Sequence, residues 1–202
     1  MPAVYLSPST EMNEYITGGN EEYYMNLIVD AMIPYLRANG FEFSRNNPED
    51  SLDEIIANAN EGNYNLYLAL HSGYSPEGTE PPLQGLNVFH YAYTPVGGER
   101  AAFYIAENLK DIYPYPDLVR IVRADTRELR NPNFPAVFVE LGYRGNPEDE
   151  MWMKENINTI AKSLVLAITQ FLNLPFVDIG NPVVGIDNPV PQAEKAQEHG
   201  LR

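Results

Sequence analysis

The amino-acid sequence predicts an α/β fold, a three-layer sandwich in which a mixed six-stranded sheet carries helices on both faces. Three observations predict it. Short apolar runs alternate with longer stretches of helical period. Two of the short runs, residues 66–70 and 136–139, lack polar alternation, as strands covered on both faces require. The 202 residues, 44% apolar and 20% charged, suit one sizeable domain with a short appendage.

The elements follow in chain order. Residues 3–6 form the first strand, and a helix from Glu21 to about Ala38 repeats Met25, Ile28, Val29, Met32, Ile33 and Leu36 on one side. Asn20 is its N-cap and Gly40 lies just past its end, while Pro34 inside the run is expected to bend or interrupt it. A strand at 41–44 precedes a short helix opened by the capping-box pair Ser51 and Glu54. Strands follow at 66–70 and 86–91, then a helix from about Gly98 to Ile112, then strands at 118–122 and 136–140. The last helix has Asn146 as cap, Pro147 at its first position and acidic Glu148 and Asp149 in its first turn, with an apolar stripe running through Leu172. Beyond Leu174 the prolines at 175, 182, 189 and 191 mark a linker or arm, which divides the chain into a domain at 1–174 and a tail at 175–202.

Composition narrows the function. Thirteen basic against 28 acidic residues give a net charge of −15, which argues against nucleic acid and against anionic membrane surfaces. No apolar run approaches the ~20 residues needed to span a bilayer, so membrane insertion is not expected. Nor do residues 1–7 have a secretory leader's basic start and apolar stretch, so a protein working outside the cell would leave by another route or have a leader that this sequence lacks. The absence of cysteine removes disulfides, thiolate zinc sites and cysteine nucleophiles. Three histidines remain, at 71, 90 and 199, beside many carboxylates.

Ligands of open α/β sheets bind beyond the carboxyl ends of the strands. That rule selects Ser7 to Glu11 after the first strand, His71 and Ser72 after the third, and Glu140 after the last, with Glu21 and Glu22 opening the first helix near the same edge. A carboxylate ending an apolar strand is costly without a partner or a cleft, which favours a functional Glu140. His90, within a strand, reads as structural, and His199 as a solvated tail residue. Ser9 and Ser72 lie outside any Gly-x-Ser-x-Gly elbow, which argues against a serine hydrolase. The fourteen tyrosines serve either as stacking surfaces for sugars or as interior and rim residues with polar tips.

Three segments resemble the zinc-dependent N-acetylmuramoyl-L-alanine amidases of bacterial cell-wall turnover. Glu22 with Asn26 four residues later is similar to that family's glutamate ligand on an amphipathic helix. Leu68 to Ser72 is similar to its strand ending in a histidine ligand. Pro135 to Tyr143, continuing to Asn146–Asp149, is similar to its strand ending in the catalytic glutamate. The resemblance implies that Glu22 and His71 hold Zn2+, that Glu140 is the catalytic base, and that Arg130 and Ser72 lie beside the substrate; for Arg130 an ordinary surface arginine is the better account from the sequence itself. One departure stands out: where the family's common type has Asp-Pro-Gly-His-Gly with a histidine ligand, this chain has Ser7-Pro8-Ser9-Thr10-Glu11. Glu11 is the nearest replacement, either a third ligand or a loop carboxylate. Two carboxylates around the ion would make a weaker Lewis acid or favour another divalent metal.

The function this implies is metal-dependent hydrolysis of the amide between N-acetylmuramic acid and L-alanine in peptidoglycan. The alternative is an inactive muropeptide-binding or regulatory protein on the same fold. Oligomeric state is left open by the sequence.

Overall fold

The computed structural model describes residues 1–93 and 97–182. Six strands form one sheet: β1 (Ala3–Pro8), β2 (Glu42–Arg45), β3 (Leu66–Tyr74), β4 (Leu86–Tyr91), β5 (Val119–Ala124) and β6 (Ala136–Arg144). Their order across the sheet is β2-β1-β3-β6-β4-β5, with β4 antiparallel to β6 and every other pairing parallel. The sheet is therefore mixed, and the two strands that carry the unbroken apolar runs, β3 and β6, are its central pair.

Alternation along the strands sends two side-chain sets to opposite faces. Leu66, Leu68 and Leu70 of β3 and Val137, Val139 and Leu141 of β6 enter the main core, with the helices α1 (Glu21–Ala38), α3 (Gly98–Lys110) and α6 (Ile157–Phe171). Each large aliphatic side chain buried there stabilises the fold by about 1.5–3 kcal/mol. The other face is smaller: Tyr67 and Ala69, with Ala136, meet Ile55 and Ala59 of α2 (Leu52–Asn60) and Leu129 of α4 (Arg127–Arg130). Helices cover both faces, but the second cover is thin.

The helices begin where their caps predict. Asn20 accepts from the Tyr23 N–H at 2.9 Å, Ser51 and Glu54 form a complete capping box, and Asn146 accepts from the N–H groups of Glu148 and Asp149 at the start of α5 (Pro147–Glu155). Two expectations are corrected. Pro34 does not interrupt α1, because buried Ile33, Tyr35 and Leu36 on either side outweigh a proline's cost of roughly 3 kcal/mol. The long last helix divides at Asn156, where the backbone leaves helical dihedrals (φ −116°, ψ 20°) and the side-chain amide donates back to the Trp152 carbonyl at 2.8 Å. A 3₁₀ turn at Pro116–Leu118 and the four-residue α4 are too short for periodicity to reveal.

The largest boundary difference bears on the site. Strands β3 and β6 run on to Tyr74 and Arg144, past His71 and Glu140, with a register irregularity between His71 and Gly73. The chemistry-bearing residues thus lie within the sheet. Residues 175–182 form neither helix nor strand, but Val177 exchanges hydrogen bonds with Asn39 and Tyr35 donates to the Gly180 carbonyl, so this segment lies along α1. The remainder of the proline-rich tail, with His199, lies outside the described residues.

Candidate active site

His71 and Glu140 are directly paired across β3 and β6, and Glu140 is paired with Asn87 across β6 and β4. These three side chains share the thinly covered face, in a row across adjacent strands. The His71 ring stacks on Phe138 at 4.3 Å between centroids, which fixes the plane of the imidazole. Asn87 Nδ2 donates to Glu140 Oε2 at 2.8 Å and lies 2.9 Å from the Tyr143 hydroxyl. Gly73 makes the close approach feasible: a Cβ there would lie 2.9 Å from the Tyr143 ring and 3.2 Å from Glu140 Oε2.

Two buried carboxylates flank the imidazole. Glu21 Oε1 lies 3.3 Å from Nδ1, and Glu128 Oε2 lies 3.2 Å from Nε2. Glu21 opens α1, where the helix dipole favours a negative charge. Its Oε1 accepts from the Ser72 N–H at 3.1 Å, and its Oε2 accepts from Asn13 at 3.3 Å and faces Arg144 Nε at 3.4 Å. Glu128 comes from α4, and its Oε1 accepts from the hydroxyls of Tyr67 at 3.0 Å and Ser7 at 3.2 Å.

The electrostatics follow from these contacts. Burial alone would raise the Glu21 carboxyl, but the His71 ring, the Ser72 N–H and Asn13 hold it below the usual range. Burial disfavours a charged imidazole, yet Glu128 and Glu21 together outweigh it and push His71 up to about 9. Glu140 is raised by burial, against the opposing pull of Asn87 and His71. A raised carboxyl is the kind that suits proton transfer.

A neutral imidazole has one N–H and one lone pair. Here both ring nitrogens face a carboxylate oxygen, so either the ring is doubly protonated or a cation lies between one nitrogen and its carboxylate. Both separations are those of hydrogen bonds to a protonated ring. A buried carboxylate beside an imidazole is also the donor chemistry that suits a divalent cation. Among the described residues, no group of three or more His, Asp or Glu side chains is gathered into a metal cluster.

The residues selected from sequence are placed as follows. Glu22 is half-buried; its N–H donates to the Glu11 carbonyl at 3.0 Å, and it is Glu21 that faces His71. Glu11 is exposed and hydrogen-bonded to Asn13, which reaches Glu21 with the same nitrogen, so Glu11 stands one amide away from the cluster. Ser72 contributes its main-chain N–H. Arg130 pairs with Asp125 at 2.6 Å and lines a separate cavity with Tyr91, Pro132 and Asn133. His90 is buried, with Nδ1 3.1 Å from the Tyr91 carbonyl, in keeping with a structural reading.

Sequence reasoning missed Glu128 and did not choose Glu21 over Glu22. A signal for Glu21 exists: counted from it, Met25, Ile28, Val29 and Met32 fall at i+4, i+7, i+8 and i+11, the buried stripe of α1. Glu22 stands one position off that stripe.

The sequence profile of the N-acetylmuramoyl-L-alanine amidase family matches residues 9–170. Among solved structures, the chain is similar to the amidase AmiC2 of Nostoc punctiforme, with 19% identity and a TM-score of 0.73 over 85% of this chain and 97% of that one. It is also similar to an N-acetylmuramoyl-L-alanine amidase from Clostridium difficile 630, with 18% identity and a TM-score of 0.74 over 85% and 97% of the two chains. A third similar structure is the CwlD amidase of Clostridioides difficile in complex with the GerS lipoprotein, with 16% identity and a TM-score of 0.73 over 86% and 99%. No curated protein matches.

Proposed function

The chain belongs to the N-acetylmuramoyl-L-alanine amidase family, and from that premise we propose that it hydrolyses, with a bound divalent metal, the amide between the lactyl group of N-acetylmuramic acid and the L-alanine of the peptidoglycan stem peptide. The observation that carries this reading is the row His71–Glu140–Asn87 beside Glu21, which brings a carboxylate–imidazole pair next to a half-buried carboxyl.

Glu21 and Nδ1 of His71 would hold the metal, Glu21 taking the role that the sequence motif had suggested for Glu22. Glu11, joined to Glu21 through Asn13, would complete the set. Zinc or another divalent ion held there would supply Lewis-acid polarisation and lower the pKa of the attacking water. Glu140 takes a proton from the attacking water as its oxygen bonds to the carbonyl carbon. It returns that proton to the alanine nitrogen as the C–N bond breaks. Asn87 keeps Glu140 aimed by its 2.8 Å hydrogen bond. Ser72 holds Glu21 through its N–H, a positioning rather than nucleophilic part.

The substrate is peptidoglycan, and the place of action is the cell wall. No helix among the described residues is long and apolar enough to cross a membrane. The test is metal analysis of protein purified without added zinc, followed by release of free stem peptide from peptidoglycan with Zn, Mn or Co. Bound metal and release support the reading; the absence of both overturns it. A second reading, a muropeptide-binding protein without turnover, is favoured by Thr10 standing where the family's motif has its first histidine and by the lack of a third gathered ligand among the described residues. It predicts muropeptide binding without turnover and unchanged by Glu140→Gln.

A further inference from the structure

We propose that Glu128 is the positioning residue of this site: it holds the proton of His71 on Nε2 and thereby dedicates Nδ1 to the Glu21 side. The inference rests on the amidase reading for its purpose, and on the geometry around the ring for its content.

The two carboxylates that flank His71 are not equivalent. Glu21 Oε1 already accepts from the Ser72 N–H at 3.1 Å, so it keeps a donor whether or not Nδ1 carries a proton. Glu128 Oε2 has the imidazole as its only donor among the described residues. A buried carboxylate oxygen without a donor is costly, so the proton belongs between Nε2 and Glu128. The other oxygen of Glu128 is held by two hydroxyls, and the Tyr67 hydroxyl also lies 2.9 Å from Ser7 Oγ, which closes a small buried network of Ser7, Tyr67 and Glu128. The Tyr67 ring stacks on Tyr5 at 5.4 Å, so the network stands on a packed aromatic base. Glu128 is consequently fixed, and the imidazole is fixed in turn by Phe138 beneath it and Glu128 at its edge.

Surroundings on the other nitrogen differ. Glu21 is ringed by Asn13, Arg144 and the Ser72 N–H, and Asn13 links it to exposed Glu11. A carboxylate with several donors keeps its place when the group at Nδ1 changes. One nitrogen faces a static anchor and the other a side with an exposed carboxylate in reach, which is the division of labour that a ligating histidine needs.

Three histidines make the experiment tractable, because each ring gives its own nitrogen resonances and His90 and His199 serve as internal references. In the metal-free full chain, ¹⁵N–¹H spectroscopy is expected to find a protected proton on Nε2 of His71, lost or displaced in Glu128→Leu and retained in Glu150→Gln. A wild-type ring without an Nε2 proton, or a Glu128→Leu ring unchanged from wild type, overturns the proposal. Titration with Zn2+ alone is expected to give an affinity about 10- to 100-fold weaker in Glu128→Gln than in wild type. Tyr67→Phe, which removes one anchor and keeps the ring, is expected to fall between them. Equal zinc affinities in wild type and Glu128→Gln overturn the proposal as well. Failure of the amidase reading looks different: wild type then neither binds Zn2+ nor releases stem peptide, while the Nε2 proton still decides the role of Glu128.

Discussion

Two groups of buried carboxylates each have a member hydrogen-bonded to the 12–20 loop, and they differ in what they face. Asp149 and Glu150, in the first turn of α5, meet main-chain N–H groups and hydroxyls. Asp149 accepts from Gly85 and Tyr143 N–H, each at 3.0 Å, and from the Tyr113 hydroxyl. Glu150 accepts from the N–H groups of Ile16, Thr17 and Gly145, which ties the loop after β1 to α5. Glu21 and Glu128 also meet fixed donors, but between them lies an imidazole, and Glu140 stands paired with it across the sheet. The contrast teaches that burial of an acid does not mark a reactive site. Partners that can change protonation or accept a cation mark it.

The comparison can be broken at several points, the largest effect first. Glu140→Gln keeps its size and its contact with Asn87, and is expected to lower stem-peptide release by roughly 10²- to 10⁴-fold with little change in melting temperature. A comparable loss of folding would move Glu140 to the structural group. Asp149→Ala strips the acceptor from two main-chain N–H groups and is expected to cost about 2–5 kcal/mol in urea unfolding, with the rate per folded molecule preserved. Glu150→Gln retains one neutral acceptor and should cost less.

A third prediction concerns pH in chelator-treated protein. His71 is raised in the folded state to about 9 from 6.5. The stability it contributes is therefore fully present below pH 6.5 and is lost as pH rises through about 9. Thermal melts should decline over that window, and His71→Gln should flatten the decline. The smallest effect separates neighbours in sequence. Glu22→Gln is expected to change stability by less than about 0.5 kcal/mol and to leave zinc binding intact, whereas Glu21→Gln should weaken zinc binding; the reverse pattern would restore Glu22 to the site.

The sheet was legible because its central strands carry the longest unbroken apolar runs, and the caps were legible because Asn20, Ser51 and Asn146 satisfy donors within their own helices. His71 and Glu140 were legible as ionisable residues closing those apolar runs. What local pattern does not convey is which side of a helix the fold turns inward, and choosing between Glu21 and Glu22 depends on that. Glu128 was hidden more completely: it lies on a four-residue helix with no period, and its partner Ser7 is 121 positions away. Arg130, two residues further on, was the position to which the resemblance gave a role, and its guanidinium pairs with Asp125.

The extension of β3 and β6 beyond His71 and Glu140 has a practical meaning for anyone redesigning this protein. His71 and Glu140 are set in the ladder of the sheet, while the segments 12–19 and 75–85 are connecting chain. Substitutions in those segments, Asn13 with its hold on Glu21 excepted, should alter which cell-wall fragments are admitted without retuning the geometry at the imidazole, much as jaws are exchanged on a vice whose bed stays bolted down.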